Sequence, residues 1–496
     1  MTSTKETPIE FEKDFLNIID GKPRNSKQIH QGTNPSDGKP LWDVPIASAE
    51  DLDDAVKAAQ KAFKTWSRTK WEDRVEIIQK IVDEFKKYEN EMANILMLEA
   101  GKPFQFAKME IGFAVDGLKY FSEVVIDQTK TTEPSFPDEV TSDNKNVKII
   151  HRWGPLGVVG AICPWNFPLA ISMNKVGPAL LTGSCIIMKP SPFTPYSILK
   201  FTEIAQRFLP PGVLQALNGD DKMGPMMTEH PGIAKISFTG SSPTGKRVMA
   251  SCAKTLKRVT LELGGNSAAI ICPDVDVNKV AFSVALGAFF NSGQLCVASK
   301  RLYVHEDIYD DMLKALTNVV KSWKTGGTHE EGVMLGPVQN YMQHKIVKDF
   351  FEDCASNGYE FALPGSVDEG KGFVIQPAIV NNPPDSARIV REEQFGPIVP
   401  MMKWKDEDDV IARVNDTDTG LGGAVYSADT DYAQKLGNRI EAGTIWINSN
   451  EQPLASAYFS GQKESGLGGE GGRHGLYEYM VAQVTHLYKN DVAKSA

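Results

Sequence analysis

Cys296 stands where two textures meet. Before it, Asn291-Ser292-Gly293-Gln294 has the composition of a turn; after it, Arg301 to Val304 alternates as a strand does. Once ionised, a thiol at such a junction is a nucleophile. The same residue would equally serve as a small buried filler. Glu262, in TLELGGN (260–266), ends an apolar run before a Gly-Gly turn. Stripped of water, such a carboxyl keeps its proton to higher pH and works as a base near neutrality; turned to solvent, it does nothing. Asn166 sits among aromatics and prolines in CPWNFPL (163–169). A fixed amide N–H suits an oxyanion, although an Asn in a turn also satisfies its own backbone. Lys189 ends the apolar run of IIMKPSPFTP (186–195), where it must be solvated or paired and could hold a ribose or a phosphate. Gly240 and Ser241, in SFTGSSPTGKRVM (237–249), lie at a strand-to-helix turn, whose exposed N–H groups and helix dipole favour phosphate. Gly240 and Gly245 are five apart, so this is not G-x-G-x-x-G.

These groups need a scaffold, and the chain alternates in a way that builds one. GVVGAIC (157–163), CIIMKP (185–190), VLQALNG (213–219), AKISFTG (234–240) and RVTLELGG (258–265) are expected strands. SILKFTEIAQRF (197–208) and PTGKRVMASCAKTL (243–256) are expected helices between them. Near-continuous apolar strands alternating with helices specify a parallel sheet covered on both faces. The alternation resumes over about 267–450, which implies a second α/β lobe. Upstream, SAED (48–51) is a capping box opening a helix with Leu52, Val56, Ala59 and Phe63 on one face. A second helix is expected from Trp71 to about Gly101, carrying Val75, Ile78, Ile81 and Phe85, and a third over 115–130. Residues 1–14 read as a loose tail. The proline-rich, charged 131–146 reads as either a linker or an extended arm.

At 496 residues, about three domains or lobes are expected. A net charge of −10 disfavours nucleic acid as a partner. No run approaches the length of a membrane helix. The six cysteines form no C-x-x-C pair, and several lie in apolar runs, as reduced buried thiols do. The polar, acidic MTSTKETPIEFEKDF has neither a signal-peptide nor a transit-peptide pattern. The expected compartment is cytoplasmic.

PWNFP, FTGS, LELGGN, GQLC and EEQFGP (392–397) occur here in one order and spacing. In this the chain resembles the NAD(P)-dependent aldehyde dehydrogenase superfamily, in its non-acylating, hydrolytic branch, from about Asn17 to Leu487. The resemblance implies an α/β fold with a Rossmann-like cofactor-binding lobe (1–127 plus 147–258), an α/β catalytic lobe (259–455), and a small β oligomerisation arm (128–146 plus 456–496). It implies that an aldehyde is oxidised to the acid with NAD or NADP. Cys296 is then the nucleophile, Asn166 and the Cys296 N–H the oxyanion donors, and Glu262 the base that hydrolyses a thioester. Glu470 would be a carboxylate near the water path. Lys189 would hold the adenosine ribose, Gly240 and Ser241 the pyrophosphate, and Glu393 the nicotinamide ribose, with Phe395 and Trp165 beside it. No metal site is implied. The partners implied are a small-molecule aldehyde and copies of the chain itself, as homodimer or homotetramer.

Two departures bear on this. Pro192 stands where NAD-preferring members carry a discriminating Glu, which leaves NADP open, with NAD slightly preferred. Tyr458-Phe459-Ser460-Gly461 replaces the commoner Pro-Phe-Gly-Gly. Leu295, Val297, Phe167, Ile171, Asn174 and Phe459 are the expected substrate-tunnel lining. The alternatives are a cysteine esterase or hydrolase without nicotinamide, and a non-catalytic structural relative.

Overall fold

The computed structural model describes residues 9–128, 138–370 and 372–489. Parts of the expected tail and of the 131–146 stretch lie outside these residues.

The first sheet has eight strands. Its five central members are Leu214–Ala216, Cys185–Lys189, Val158–Ile162, Lys235–Thr239 and Arg258–Glu262, in that spatial order and all parallel. The chain starts in the middle, at Val158–Ile162, winds outward one way and then the other. The order therefore reverses beside Val158–Ile162, and a crevice opens there at the carboxyl ends. Asn17–Ile19 and Gly466–Leu467 extend the sheet antiparallel at its flanks. The central strands are buried along their whole length except the start of Arg258–Glu262, as expected for a sheet with helices on both faces.

Only residues 263–266 separate Glu262 from Ser267–Ile271, which lies inside the second sheet. That sheet has seven strands, ordered Phe361–Leu363, Ala378–Asn381, Ile398–Trp404, Ser299–His305, Ser267–Ile271, Gly422–Tyr426 and Thr444–Ile447. All but the Phe361–Leu363 edge run parallel. Separate apolar cores lie on its two faces. A third, antiparallel sheet joins Met480–Tyr488, Val147–Pro155 and Glu139–Asp143. The mixed α/β class expected from the alternation is the one observed.

The capping box forms as expected: Ser48 Oγ accepts from the Asp51 N–H, and the Asp51 carboxylate accepts from the Ser48 N–H. The helix expected over 71–101 is instead two, Trp71–Lys86 and Glu89–Ala100. Tyr88 leaves the helical region (φ −108°, ψ 21°), its ring centroid 5.2 Å from that of Phe11 and its hydroxyl donating to Glu84. No proline or glycine marks the break, so periodicity passed over it. The helix expected over 115–130 begins earlier and spans Phe104–Gln128. Among the described residues no helix is long and apolar enough to cross a membrane.

Candidate active site

The carboxyl edge of the first sheet meets the amino ends of the second at the Gly264-Gly265 turn. A Cβ on Gly265 would lie 2.5 Å from the Cys296 carbonyl oxygen, so only glycine lets the thiol-bearing loop approach. The Gly265 N–H donates to Glu393 Oε1 at 3.2 Å. One turn thus gathers Glu262, Cys296 and Glu393, which are distant in sequence.

Cys296 follows a strained backbone. Asn291, Ser292 and Gly293 are consecutive left-handed residues, with φ of 53°, 55° and 72°. Asn tolerates this conformation, whereas Ser pays for it. Side chains hold the turn. Ser292 Oγ donates to Gly336 O at 2.6 Å, and Gln294 Nε2 to Asn291 O at 3.0 Å. Gln294 Oε1 accepts from the Gln339 N–H at 2.8 Å. Asn166, from the turn after Val158–Ile162, donates Nδ2 to Gln294 O at 3.1 Å. An amide nitrogen carries two hydrogens, so one remains for another acceptor near Cys296.

Electrostatics sets the protons. Burial pushes the Cys296 thiol up to about 12, with Glu393 and then Glu262 adding to the rise; the N–H groups of Cys296 and Val297 pull the other way. Burial also raises Glu262 well above an ordinary carboxyl, reinforced by Glu470 and opposed by Lys175. Both Glu262 oxygens are buried without a hydrogen-bond partner. Burial raises Glu393 to about 8, against the Gly265 N–H and Lys300. A buried carboxyl with no hydrogen-bond donor costs stability, which marks Glu262 as a place where water or substrate belongs.

Lys189 and Glu262 both end strands of the first sheet, three strand spacings apart, or about 14 Å. Lys189 is buried, its Nζ donates to Pro190 O at 3.1 Å, and desolvation lowers its pKa. Ser241 occupies the N-cap of the helix Ser242–Ala253 but makes no side-chain cap. Its hydroxyl donates to Thr244 Oγ1 at 3.0 Å, which leaves first-turn N–H groups for an anion. The Gly240 N–H donates to Glu262 O at 3.0 Å, tying this turn to the proposed base. Trp165 and Phe395 meet edge to face, with centroids 5.3 Å apart, and Phe395 is left-handed (φ 48°). At the departure, Pro192 O accepts from His30 Nε2 at 2.8 Å. A phosphate cradle, an edge of dinucleotide length and a buried lysine fit a nicotinamide dinucleotide.

The tunnel expectation needs one correction. Val297 is fully buried, in the turn before the strand Ser299–His305, with Gly422 on its Cβ side; it packs into the core. Leu295, Ile171, Asn174 and Phe459 are half-buried, and Phe167 lies 6.2 Å from Phe290, ring to ring. Tyr458, at the second departure, donates to Glu478 Oε1 at 3.3 Å and stacks edge-on to His474. Phe459 and Glu470 exchange backbone hydrogen bonds.

Two lysines escaped the sequence reading. Lys175 is fully buried and bonds Glu470 Oε1 at 2.5 Å, Thr239 Oγ1 at 2.8 Å and Ser237 Oγ at 3.0 Å. Its signal was available: a single charge inside the apolar helix PLAISMNKVGPALL (168–181). Lys300 donates to Gly396 O at 2.7 Å and Ala288 O at 3.1 Å, joining the Glu393 loop to the helix before the thiol turn. Burial lowers it to about 7. Nothing in SKRLYV distinguishes it from a surface lysine.

A doubly wound sheet is joined at its carboxyl edge to a second α/β lobe, with a thiol and a carboxyl without a hydrogen-bond partner at the join: the architecture is that of an α/β enzyme with its site between two sheets. Residues 22–485 match the model of the aldehyde dehydrogenase family. Aldehyde dehydrogenase LUC3 of a Fusarium species is 39% identical over 477 residues, covering 96% of this chain and 99% of the relative. The NADP(+) succinate-semialdehyde dehydrogenase GabD of Escherichia coli is 34% identical, covering 92% and 94%. The NAD+ complex of the Bacillus cereus aldehyde dehydrogenase superposes with a TM-score of 0.91 at 31% identity, covering 96% of each chain. The chain belongs to the aldehyde dehydrogenase family, whose chemistry is the oxidation of aldehydes.

Proposed function

We propose that the protein oxidises an aldehyde to the free carboxylic acid, with Cys296 as nucleophile and Glu262 as general base. The observation that carries this is the buried carboxyl of Glu262, without a hydrogen-bond partner, at the strand end before the turn whose Gly265 packs against Cys296. The resting thiol is neutral, so its proton passes to solvent before the thiolate attacks. Sulfur then bonds the aldehyde carbon and its oxygen gains charge. The free N–H of Asn166 Nδ2 and the Cys296 N–H stabilise that oxyanion. The chemistry a bound NAD(P)+ supplies is hydride acceptance, which turns the thiohemiacetal into a thioester. Glu262 next takes a proton from water, whose oxygen attacks the thioester and releases the acid and the Cys296 thiol. Lys175, bonded to Glu470, favours the ionised form of Glu262, and Glu470 opposes it.

Lys189, Gly240 and Ser241 would bind the adenosine ribose and the pyrophosphate; Glu393, with Trp165 and Phe395 beside it, the nicotinamide ribose. NAD is our preferred cofactor over NADP: Pro192 does not repel a 2′-phosphate, but no arginine in 191–194 attracts one. We take the lobes as 1–127 plus 147–258, 259–455, and an arm of 128–146 plus 456–496. Val147–Pro155 pairs with strands of that arm on both sides. The exposed apolar Val481, Val484 and Leu487 on the arm's outer strand support a homodimer or homotetramer. We assign the protein to the cytoplasm.

The test is a panel of aldehydes assayed with NAD and NADP in parallel, read by absorbance of the reduced nicotinamide. Aldehyde-dependent reduction with release of acid supports the proposal. Ester hydrolysis with no nicotinamide reduction for any aldehyde would replace it with the hydrolase alternative.

A further inference from the structure

The helix Pro168–Leu181 starts beside Asn166 without a cap of its own: Phe167 holds the N-cap position and makes no side-chain cap bond. The cap comes from elsewhere. Glu110, on the helix Phe104–Gln128, accepts the N–H groups of Leu169 and Ala170 on Oε1, at 2.9 and 3.2 Å. Its Oε2 takes Lys102 Nζ at 2.5 Å. Side-chain exposure is 0% for Glu110 and 1% for Lys102. The same ammonium lies 3.3 Å from the centre of the Phe167 ring. One buried ion pair therefore fixes both residues 169–170 and the ring of residue 167, immediately after Asn166. On the other side, the Asn166 carbonyl oxygen accepts Asn291 Nδ2 at 3.4 Å and its amide reaches Gln294 O at 3.1 Å.

A buried ion pair adds little net stability over a well-packed apolar pair, because desolvation offsets the attraction. What it adds is direction: a carboxylate saturated by two N–H groups and an ammonium admits one arrangement. An oxyanion donor needs such direction, since a displacement of about 1 Å costs on the order of 100-fold in rate. Glu99, the acid before it in the chain, accepts the N–H groups of Tyr196 and Ser197 one on each oxygen, at 2.8 and 3.2 Å, with no lysine bonded to it among the described contacts. The added cation occurs where the helix start carries Asn166.

We propose that Glu110 and Lys102 are positioning residues that aim the Asn166 amide at the oxyanion. This rests on the reading of Asn166 as an oxyanion donor, and the test separates the two. The burst of reduced nicotinamide is timed in wild type, Asn166→Ala, Glu110→Ala and the double variant. Asn166→Ala should slow the burst about 100-fold and Glu110→Ala roughly 10-fold, with the cofactor KM unchanged. The double variant should be no slower than Asn166→Ala, since a lost target cannot be mis-aimed. Glu110→Gln, which keeps an acceptor for both N–H groups, should recover most of the rate. If Glu110→Ala does not fold, Lys102→Met enters the same cycle. Multiplicative slowing in the double variant, or a wild-type burst in the Glu110 or Lys102 single variant, overturns the positioning role alone. A wild-type burst in Asn166→Ala overturns it together with the oxyanion reading.

Discussion

Glu110 and Glu262 are both buried acids, and they spend their oxygens in opposite ways. Each Glu110 oxygen is bonded, by two backbone N–H groups and an ammonium. Neither oxygen of Glu262 is bonded at all. The first carboxyl sits under a helix start, where donors are left over from the helix itself. The second sits at a strand end, where the ladder has used the backbone groups and a Gly-Gly turn brings none back. The contrast separates structure from chemistry: a saturated carboxylate holds geometry, and an unsatisfied one has unmet bonds to offer water or substrate.

The largest effect should come at the residue facing the unsatisfied carboxyl. Cys296→Ala should lower turnover by about 10⁴-fold or more, measured by steady-state nicotinamide reduction. Activity above a tenth of wild type would place the nucleophile elsewhere. Next, Glu262→Gln should retain a stoichiometric burst while steady turnover falls about 10²- to 10³-fold. An unchanged steady rate removes Glu262 from the hydrolytic step.

The proton count offers a milder probe. With its ionisation pushed up to about 12, Cys296 of the cofactor-free protein is almost entirely thiol at neutral pH. Only the thiolate reacts with iodoacetamide. Because the raised value lies above the range scanned, the thiolate fraction grows throughout it, and alkylation should accelerate about tenfold per unit from pH 6 to 9. Mass spectrometry of the Cys296 peptide measures this; a flat profile would mean the thiol is already ionised. The smallest effect belongs to a purely structural contact far from the contrast. Ser48→Ala removes the capping-box hydroxyl and should cost about 1 kcal/mol of stability, seen as a lower denaturation midpoint with kcat unaltered. A fall in kcat would tie the first helix to the site.

The candidate residues stood out in the sequence because they sit where local pattern changes, and their roles were what the family resemblance implied. Glu262 and Lys189 end apolar strands, Asn166 lies in a proline-bounded turn, and Gly240-Ser241 opens a helix. These are breaks that composition and periodicity reveal. The capping box at Ser48 was equally local and formed as written. The break at Tyr88 was not legible, since apolar spacing continues across it and the cause is contact with Phe11 and Glu84. Lys300 was illegible for a similar reason. Its role depends on Gly396 and Ala288, and no neighbour in the sequence announces either.

By itself the chain determined the alternation of strand and helix, the strand ends and the chemical identities waiting there, because those follow from burial period and from glycine and proline, all local properties. Tertiary structure decided which strand end meets which turn. The partnerless state of Glu262, the left-handed approach to Cys296 and the outside cap on the Asn166 helix exist only once separate segments pack. Desolvation and hydrogen-bond saturation are properties of neighbours in space, so no single segment carries them.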